Sequence, residues 1–269
     1  AYDVTVPDSS STVVAGENNE SYVMSENGGT VKIGDISYTY KNPDDQHSSM
    51  IYIPDGMCQN PDVSKAAVDA GKTGTVKIDD NQTVEVKQAS ATEKVTVERK
   101  GDTVEATVPA NATVDAFGYT GITSTAGSLT VKPGKDGGRT TVTVKGTTSF
   151  TADGHTYTGL QTGDVIPLGT YDVTLSIGNN ITSSNTTTKY YYNDKYDTTL
   201  TPSQNYDLAK KDVNVKMGGN DVSDSATSKE GDNVKVSLKV TDNIEINADS
   251  TRQKTVITFD TEGKGTYTV

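Results

Sequence analysis

The residues able to do acid–base chemistry near neutral pH are scarce in this sequence. There are two histidines, His47 in PDDQHSS and His155 in ADGHTYTG. A histidine can take the proton of a serine nucleophile in a Ser/His/Asp unit, but neither is accompanied by a nucleophile elbow, and neither is followed by a metal-ligand partner three or four residues on. Both stand in polar, turn-like text, where an exposed loop histidine is the simpler reading. The paired carboxylates of a glycosidase meet only in the fold, yet such sites also use aromatic platforms, and the chain has no Trp. The expectation is therefore a protein that is not an enzyme.

Oxygen ligands are more plentiful. Asp and Asn cluster at Asp44-Asp45, at Asp79-Asp80-Asn81, at Asn220-Asp221 with Asp224, and from Asn243 to Asp249. None has the D-x-D-x-D-G spacing of a calcium loop, so solvated turns are the simpler reading and no cofactor or metal is expected. The single cysteine, Cys58, excludes an intramolecular disulfide and a cysteine-rich zinc site but leaves the compartment open. Asn-x-Ser/Thr sequons begin at Asn19, Asn81, Asn111, Asn180 and Asn185 and would carry sugar in a secreted glycoprotein, although a chain this rich in Asn, Ser and Thr also makes them by chance. The run KYYYNDKY sets Tyr190, Tyr191, Tyr192 and Tyr196 together. Tyrosine combines contact area with a hydrogen-bonding end, which suits a subunit or glycan contact. Alternate tyrosines covering the edge of a core are the equal alternative.

The elements that would hold these groups read as strands. In VKVSLKV, Val234, Val236, Leu238 and Val240 face one way and Lys235, Ser237 and Lys239 the other; TVEV, EKVTVE, TTVTVK, TYDVTL and DVNVKM follow the same period of two. Gly, Asn, Asp and Pro turns separate them, as at Lys100-Gly101-Asp102 and Glu230-Gly231-Asp232-Asn233. Only 32% of residues are hydrophobic, Val being the commonest of them, which suits thin β layers. That content and a net charge of −12 would also suit disorder, but the regular alternation argues against it. The fold class expected is all-β: tandem antiparallel β-sandwich units, immunoglobulin-like or prealbumin-like, with one short helix over residues 62–70, where Asp62 would cap, Val63, Ala66, Ala67 and Ala70 have helical spacing, and Gly71 would close. Weak composition shifts divide the chain at 1–71, 72–146, 147–200 and 201–269, with adjacent units able to merge into two larger domains.

GTVKIGD at 29–35 and GTVKIDD at 74–80 each run into a second alternating stretch, ISYTYK and QTVEVK. A period of forty-five fails at the third position, 119–125, which reads YTGITST. One β-hairpin grammar used twice accounts for both copies.

The run SFTADGHTYTGLQTGDVIPLGTYDVTLS, residues 149–176, resembles the strand-turn-strand core of prealbumin-like domains of bacterial surface proteins and pilins. The matching residues are Asp153, Gly154, Gly159, Leu160, Pro167, Gly169, Tyr171 and Val173. Leu175 stands where many members carry the Glu that promotes a Lys–Asn isopeptide bond, which removes the main support for such a crosslink in this segment, and no LPxTG sequence is present; the resemblance implies an extracellular structural or adhesive setting without a site. The start at Ala1, without Met, would suit signal cleavage or a trimmed chain equally.

Both ends read as strands. Tyr2, Val4 and Val6 alternate with polar residues at one end, as do Tyr267 and Val269 at the other. They would pair within their own domain, or one would complete the sheet of a neighbouring subunit. The acidic balance has no basic cluster, so no nucleic acid partner is expected, and no apolar run approaches about eighteen residues, so no membrane span is expected. The function expected is a secreted structural protein of a bacterial surface layer, pilus or filament whose partners are copies of itself; an adhesin or glycan-binding module at the cell surface is the alternative, and a viral or phage shell or fibre protein a further one.

Overall fold

The computed structural model describes residues 4–6, 9, 11–15, 21–25, 29–40, 49–52, 63–79, 82–258 and 266–268. The chain is all-β, as expected, and divides into two compact units, Ala1–Leu168 and Gly169–Val269.

The first unit contains β1 (Val4–Thr5), β2 (Thr12–Ala15), β3 (Ser21–Ser25), β4 (Gly29–Ile33), β5 (Ile36–Tyr40), β6 (Ser49–Tyr52), β7 (Val63–Val68), β8 (Gly74–Asp79), β9 (Gln82–Ala89), β10 (Val95–Lys100), β11 (Thr103–Pro109), β12 (Ala112–Ala116), β13 (Tyr119–Thr123), β14 (Ser128–Lys132), β15 (Thr141–Lys145), β16 (Phe150–Ala152), β17 (His155–Tyr157) and β18 (Val165–Pro167). From β8 onward successive hairpins alternate between two sheets. One has the order β17-β16-β13-β12-β9-β8, the other β1-β4-β5-β7-β10-β11-β14-β15-β18. From β12 onward each hairpin therefore joins the one laid down two hairpins earlier, and both sheets grow in chain order. β8, β12 and β16 begin at residues 74, 112 and 150, at equal intervals, and YTGI at 119–122 returns as YTGL at 157–160.

The period of two explains the core. Val31, Ile33, Tyr38, Val76, Ile78, Val84, Val86, Val97, Val114, Ile122, Leu129, Val131, Val142, Val144, Phe150 and Ile166 are each at most 2% exposed. Burying a side chain of this kind is worth roughly 1.5–3 kcal/mol, which is how many small residues stand in for a few large ones. The two GTVKI segments are β4 and β8, each the first strand of a hairpin, Val31 opposite Tyr38 and Val76 opposite Val84; they lie in different sheets.

Where a helix is expected over residues 62–70, Val63–Val68 form a strand instead, and residue 62 lies outside the described residues. β7 pairs antiparallel with β5 and β10, Ala66 standing opposite Tyr38 on one side and Val97 on the other. A two-turn helix is marginal by itself, whereas a central position supplies hydrogen bonds along both edges. The small alanines suit the crowded middle of the sheet, where Ala66 is 1% exposed.

The second unit contains β19 (Thr170–Ile177), β20 (Ile181–Ser183), β21 (Lys189–Tyr191), β22 (Lys195–Pro202), β23 (Tyr206–Asp207), β24 (Val213–Met217), β25 (Asn220–Asp221), the short helix α1 (Ser223–Ala226), β26 (Thr227–Glu230), β27 (Asn233–Lys239), β28 (Ile244–Ala248), β29 (Thr251–Arg252), β30 (Val256–Thr258) and β31 (Thr266–Thr268). Sheets of order β21-β19-β28-β24-β25 and β20-β22-β27-β26 enclose a core that includes Tyr171, Val173, Tyr196, Leu200, Val215, Val234, Val236, Ile244 and Ile246. β19 and β28 are parallel, in the register Val173–Ile244 to Ile177–Ala248.

The division between Leu168 and Gly169 falls inside the segment expected as a unit at 147–200. β15 pairs with β18 across 146/147, β7 with β10 across 71/72, and β22 runs through 200/201, so the four expected segments resolve into two units. The segment with the prealbumin-like resemblance is shared: the Asp153–Gly154 turn and β16 to β18 belong to the first unit, and Tyr171 and Val173 to the core of the second.

Candidate functional site

The tyrosine cluster sits on β21 and β22. β21 is an edge strand, with Tyr190 opposite Tyr171 and Tyr191 opposite Thr170. Tyr190 and Tyr192 pack against the core of the second unit. Tyr196 is fully buried, its ring meeting that of Tyr190 edge-on at 5.3 Å. It cannot touch a partner, which corrects its place among the expected contact aromatics. Burial pushes its hydroxyl up to about 12, with Tyr190 adding to the shift and the Thr198 hydroxyl opposing it. The phenol is therefore protonated at pH 7. The Tyr196 hydroxyl is buried without a well-aligned hydrogen-bond partner, and Thr198 Oγ1 is engaged with Ser183 Oγ.

Asn185 ties this cluster to the loop before it. Its Nδ2 donates to Tyr190 Oη at 2.8 Å and to the Asp197 carbonyl at 2.9 Å, while its Oδ1 accepts from the Thr187 N–H at 3.0 Å. Its backbone N–H reaches Ser183 Oγ and Thr198 Oγ1, which are themselves 2.5 Å apart. A glycan on Nδ2 would remove one of these donors, so this sequon is built into the fold. Asn111 is exposed in the turn between β11 and β12 with φ 66°, and Asn180 lies in the turn before β20. Asn19 and Asn81 lie outside the described residues, as do His47, Cys58, Asp44, Asp45 and Asp80.

The remaining candidates are spread apart. His155 opens β17 beside the Asp153–Gly154 turn, its ring edge-on to Tyr157 at 4.7 Å. Asp221 accepts the Ser223 N–H and hydroxyl and an Asn214 N–H, holding the first turn of α1. Asp249 caps the Ser250 N–H. Among the described residues no three His, Cys, Asp or Glu side chains are grouped as metal ligands. Glu105, a buried carboxylate at 8% exposure, faces Lys100 at 3.2 Å and Lys132 at 3.7 Å, a charge neutralised across three neighbouring strands. A surface hollow of ≈340 Å³ lies between Thr125, Ala126, Gly146, Thr147, Ser149 and Thr162. Its hydroxyls serve their own backbone: Thr162 Oγ1 accepts the Gly146 N–H and Thr147 Oγ1 donates to the Ser149 carbonyl.

The end strands pair inside their own units. Val4 stands opposite Ile33 on β4, and Tyr267 opposite Ile257 on β30. Tyr2 and Val269 lie outside the described residues, and Val6 follows β1, half-buried. No helix among the described residues is long and apolar enough to cross a membrane.

Local periodicity could not reveal the β19–β28 ladder, because it joins segments about seventy residues apart. Two contacts lengthen it. The Asp172 N–H donates to Asn243 Oδ1 at 2.8 Å before the first pair, and the Gly178 N–H donates to the Ala248 carbonyl at 3.0 Å after the last. The spacing of alternating residues in TYDVTL and NIEINA was the only hint that two strands stood ready to pair. Comparison with protein-family models, with curated proteins and with solved structures finds no match.

Proposed function

We propose that this chain is a structural segment of an extracellular assembly, a bacterial surface layer, pilus or filament, whose work is to space its neighbours and carry load. The observation that supports this best is the parallel pairing of β19 with β28. The chain enters the second unit at one end of that sheet and leaves the last core strand at the other, so a unit of this kind adds length when strung in series. A domain whose chain enters and leaves on the same side does not.

The sheet edges favour the same reading. In the second unit they are short or charged: β25 has two residues, β26 carries Lys229 and Glu230, and β21 carries Lys189. In the first, β18 ends on Pro167. Such edges discourage indiscriminate pairing. Contacts between copies would instead use the end strands, since a neighbour can form the β1–β4 or β30–β31 pair in trans with the register each has in cis.

Negative-stain microscopy of the purified chain, with and without residues 1–7, tests this. Fibres or large particles that disappear on truncation support assembly through β1, and a monodisperse monomer from both chains rejects it. A glycan array on the same preparations decides for the adhesin alternative if it gives a signal that Tyr191→Ala abolishes.

A further inference from the structure

We propose that the β19–β28 ladder is a tension clamp, the element that keeps the second unit folded when the chain is pulled from its two sides. The idea rests on the load-bearing reading above and names the structure that would bear the load.

Tension arriving through Gly169 draws β19 toward its own N-terminus, and tension arriving from beyond Ser250 draws β28 toward its C-terminus. Because the strands are parallel neighbours, these pulls oppose each other along the ladder. The bonds run across the direction of force and are loaded together. In an antiparallel pair joined by a turn, by contrast, force on the two free ends lies at one end of the ladder and opens its bonds one after another. Five residue pairs share the load here, from Val173–Ile244 to Ile177–Ala248. The Asn243 side chain and the Gly178 N–H extend the ladder at each end.

β28 is also held on its other side. β24 pairs with it antiparallel along its whole length, Val213 opposite Ala248 and Met217 opposite Ile244. Drawing β28 out therefore breaks two ladders and exposes Ile244 and Ile246, both fully buried. Between Lys254 and the clamp the contacts are weaker: β29 pairs with β23 at two positions, and Gln253 adds bonds to the Asn205 carbonyl and to Asp207 Oδ1. These would peel before the clamp is loaded.

The test is single-molecule pulling of the full chain carrying Cys58→Ser, with handles on paired cysteines. Asp172→Cys with Lys254→Cys applies force along the ladder; Asp172→Cys with Asp242→Cys applies it at one end of the same ladder. All three handle positions are exposed. The contour length between the handles, about 290 Å for the first pair and about 245 Å for the second from roughly 3.5 Å per residue of extended chain, less their separation in the folded unit, identifies the unfolding event. The proposal expects the first geometry to withstand several times the force of the second. It also expects Asn243→Ala to unfold about fivefold faster at fixed force in the first geometry, the effect of one ladder bond, and to change the second little. Equal rupture forces in the two geometries would overturn the clamp while leaving assembly to be judged by microscopy. A strong clamp in a chain that never assembles would retain the clamp and reject the structural role.

Discussion

Replacing Asn185 by Ala should destabilise the second unit and leave the first unchanged. The side chain makes three hydrogen bonds, to Tyr190 Oη, to the Asp197 carbonyl and from the Thr187 N–H. Thr187 is exposed and its N–H returns to water when the partner is lost. Tyr190 and Asp197 are half-buried, and their bonds are replaced less well. At about 1 kcal/mol net for each of those two bonds, the loss should be about 2 kcal/mol. For a unit of this size that lowers the melting temperature by about 10 °C. Urea unfolding followed by the near-ultraviolet circular dichroism of tyrosine reads the change, because the chain has no Trp and the second unit holds a dense tyrosine cluster. Asn180→Ala, at the sequon in the neighbouring turn, is the control and should stay within about 0.5 kcal/mol. If Asn185→Ala costs no more than the control, the lock between the 185 loop and the tyrosine cluster is not a structural element and the reasoning fails.

Gly127→Ala should destabilise the first unit by about 3 kcal/mol or more, since φ is +63° there and a Cβ would lie 2.1 Å from the Lys145 carbonyl oxygen; Gly137→Ala, at φ +78° with open space around it, should cost only about 1 kcal/mol, and thermal melts of the two variants decide. Tyr196→Phe should be neutral or stabilising by up to about 1 kcal/mol, because it removes a buried hydroxyl without a well-aligned partner; a loss of 2 kcal/mol or so in urea unfolding would show that the hydroxyl is satisfied after all. Acid should weaken the second unit. The Ser223 hydroxyl and N–H hold the Asp221 carboxyl below its ordinary value, and the Ser237 hydroxyl does so for Asp197. Unfolded aspartate titrates near about 3.9, so above that pH both states are charged and this contribution is complete. Below it the unfolded chain takes the proton first, and stability falls as pH drops through the lower folded values. Calorimetry from pH 7 to 3 should show a flat melting temperature that then declines, with a shallower decline in Asp221→Asn; an identical decline in that variant would remove Asp221 from the account.

The parts of the fold set by nearest neighbours along the chain were legible in the sequence. Val234, Val236 and Val240 are buried as their alternation requires, and GTVKIGD and GTVKIDD each open a hairpin. The parts set by distant pairing were not. Ala66, Ala67 and Val63 have helical spacing, and only the flanking strands β5 and β10 make that stretch a strand. The division at Leu168 has no compositional mark, because Pro167 and Gly169 also read as an ordinary turn between two strands of one domain. The alternation of hairpins between two sheets leaves only the faint echo of YTGI in YTGL. Of the tyrosines, KYYYNDKY showed that a cluster exists but not that Tyr196 is fully buried while Tyr191 stays half-exposed at an edge, since burial depends on which strands of the opposite sheet lie above it.

The most direct test of the central claim is immunogold electron microscopy of intact cells that make this protein, with an antibody raised against the purified chain. The account predicts gold on external filaments or a surface layer, repeating along them. Label confined to the cell interior, or found only on dispersed monomers released from the cells, would contradict it.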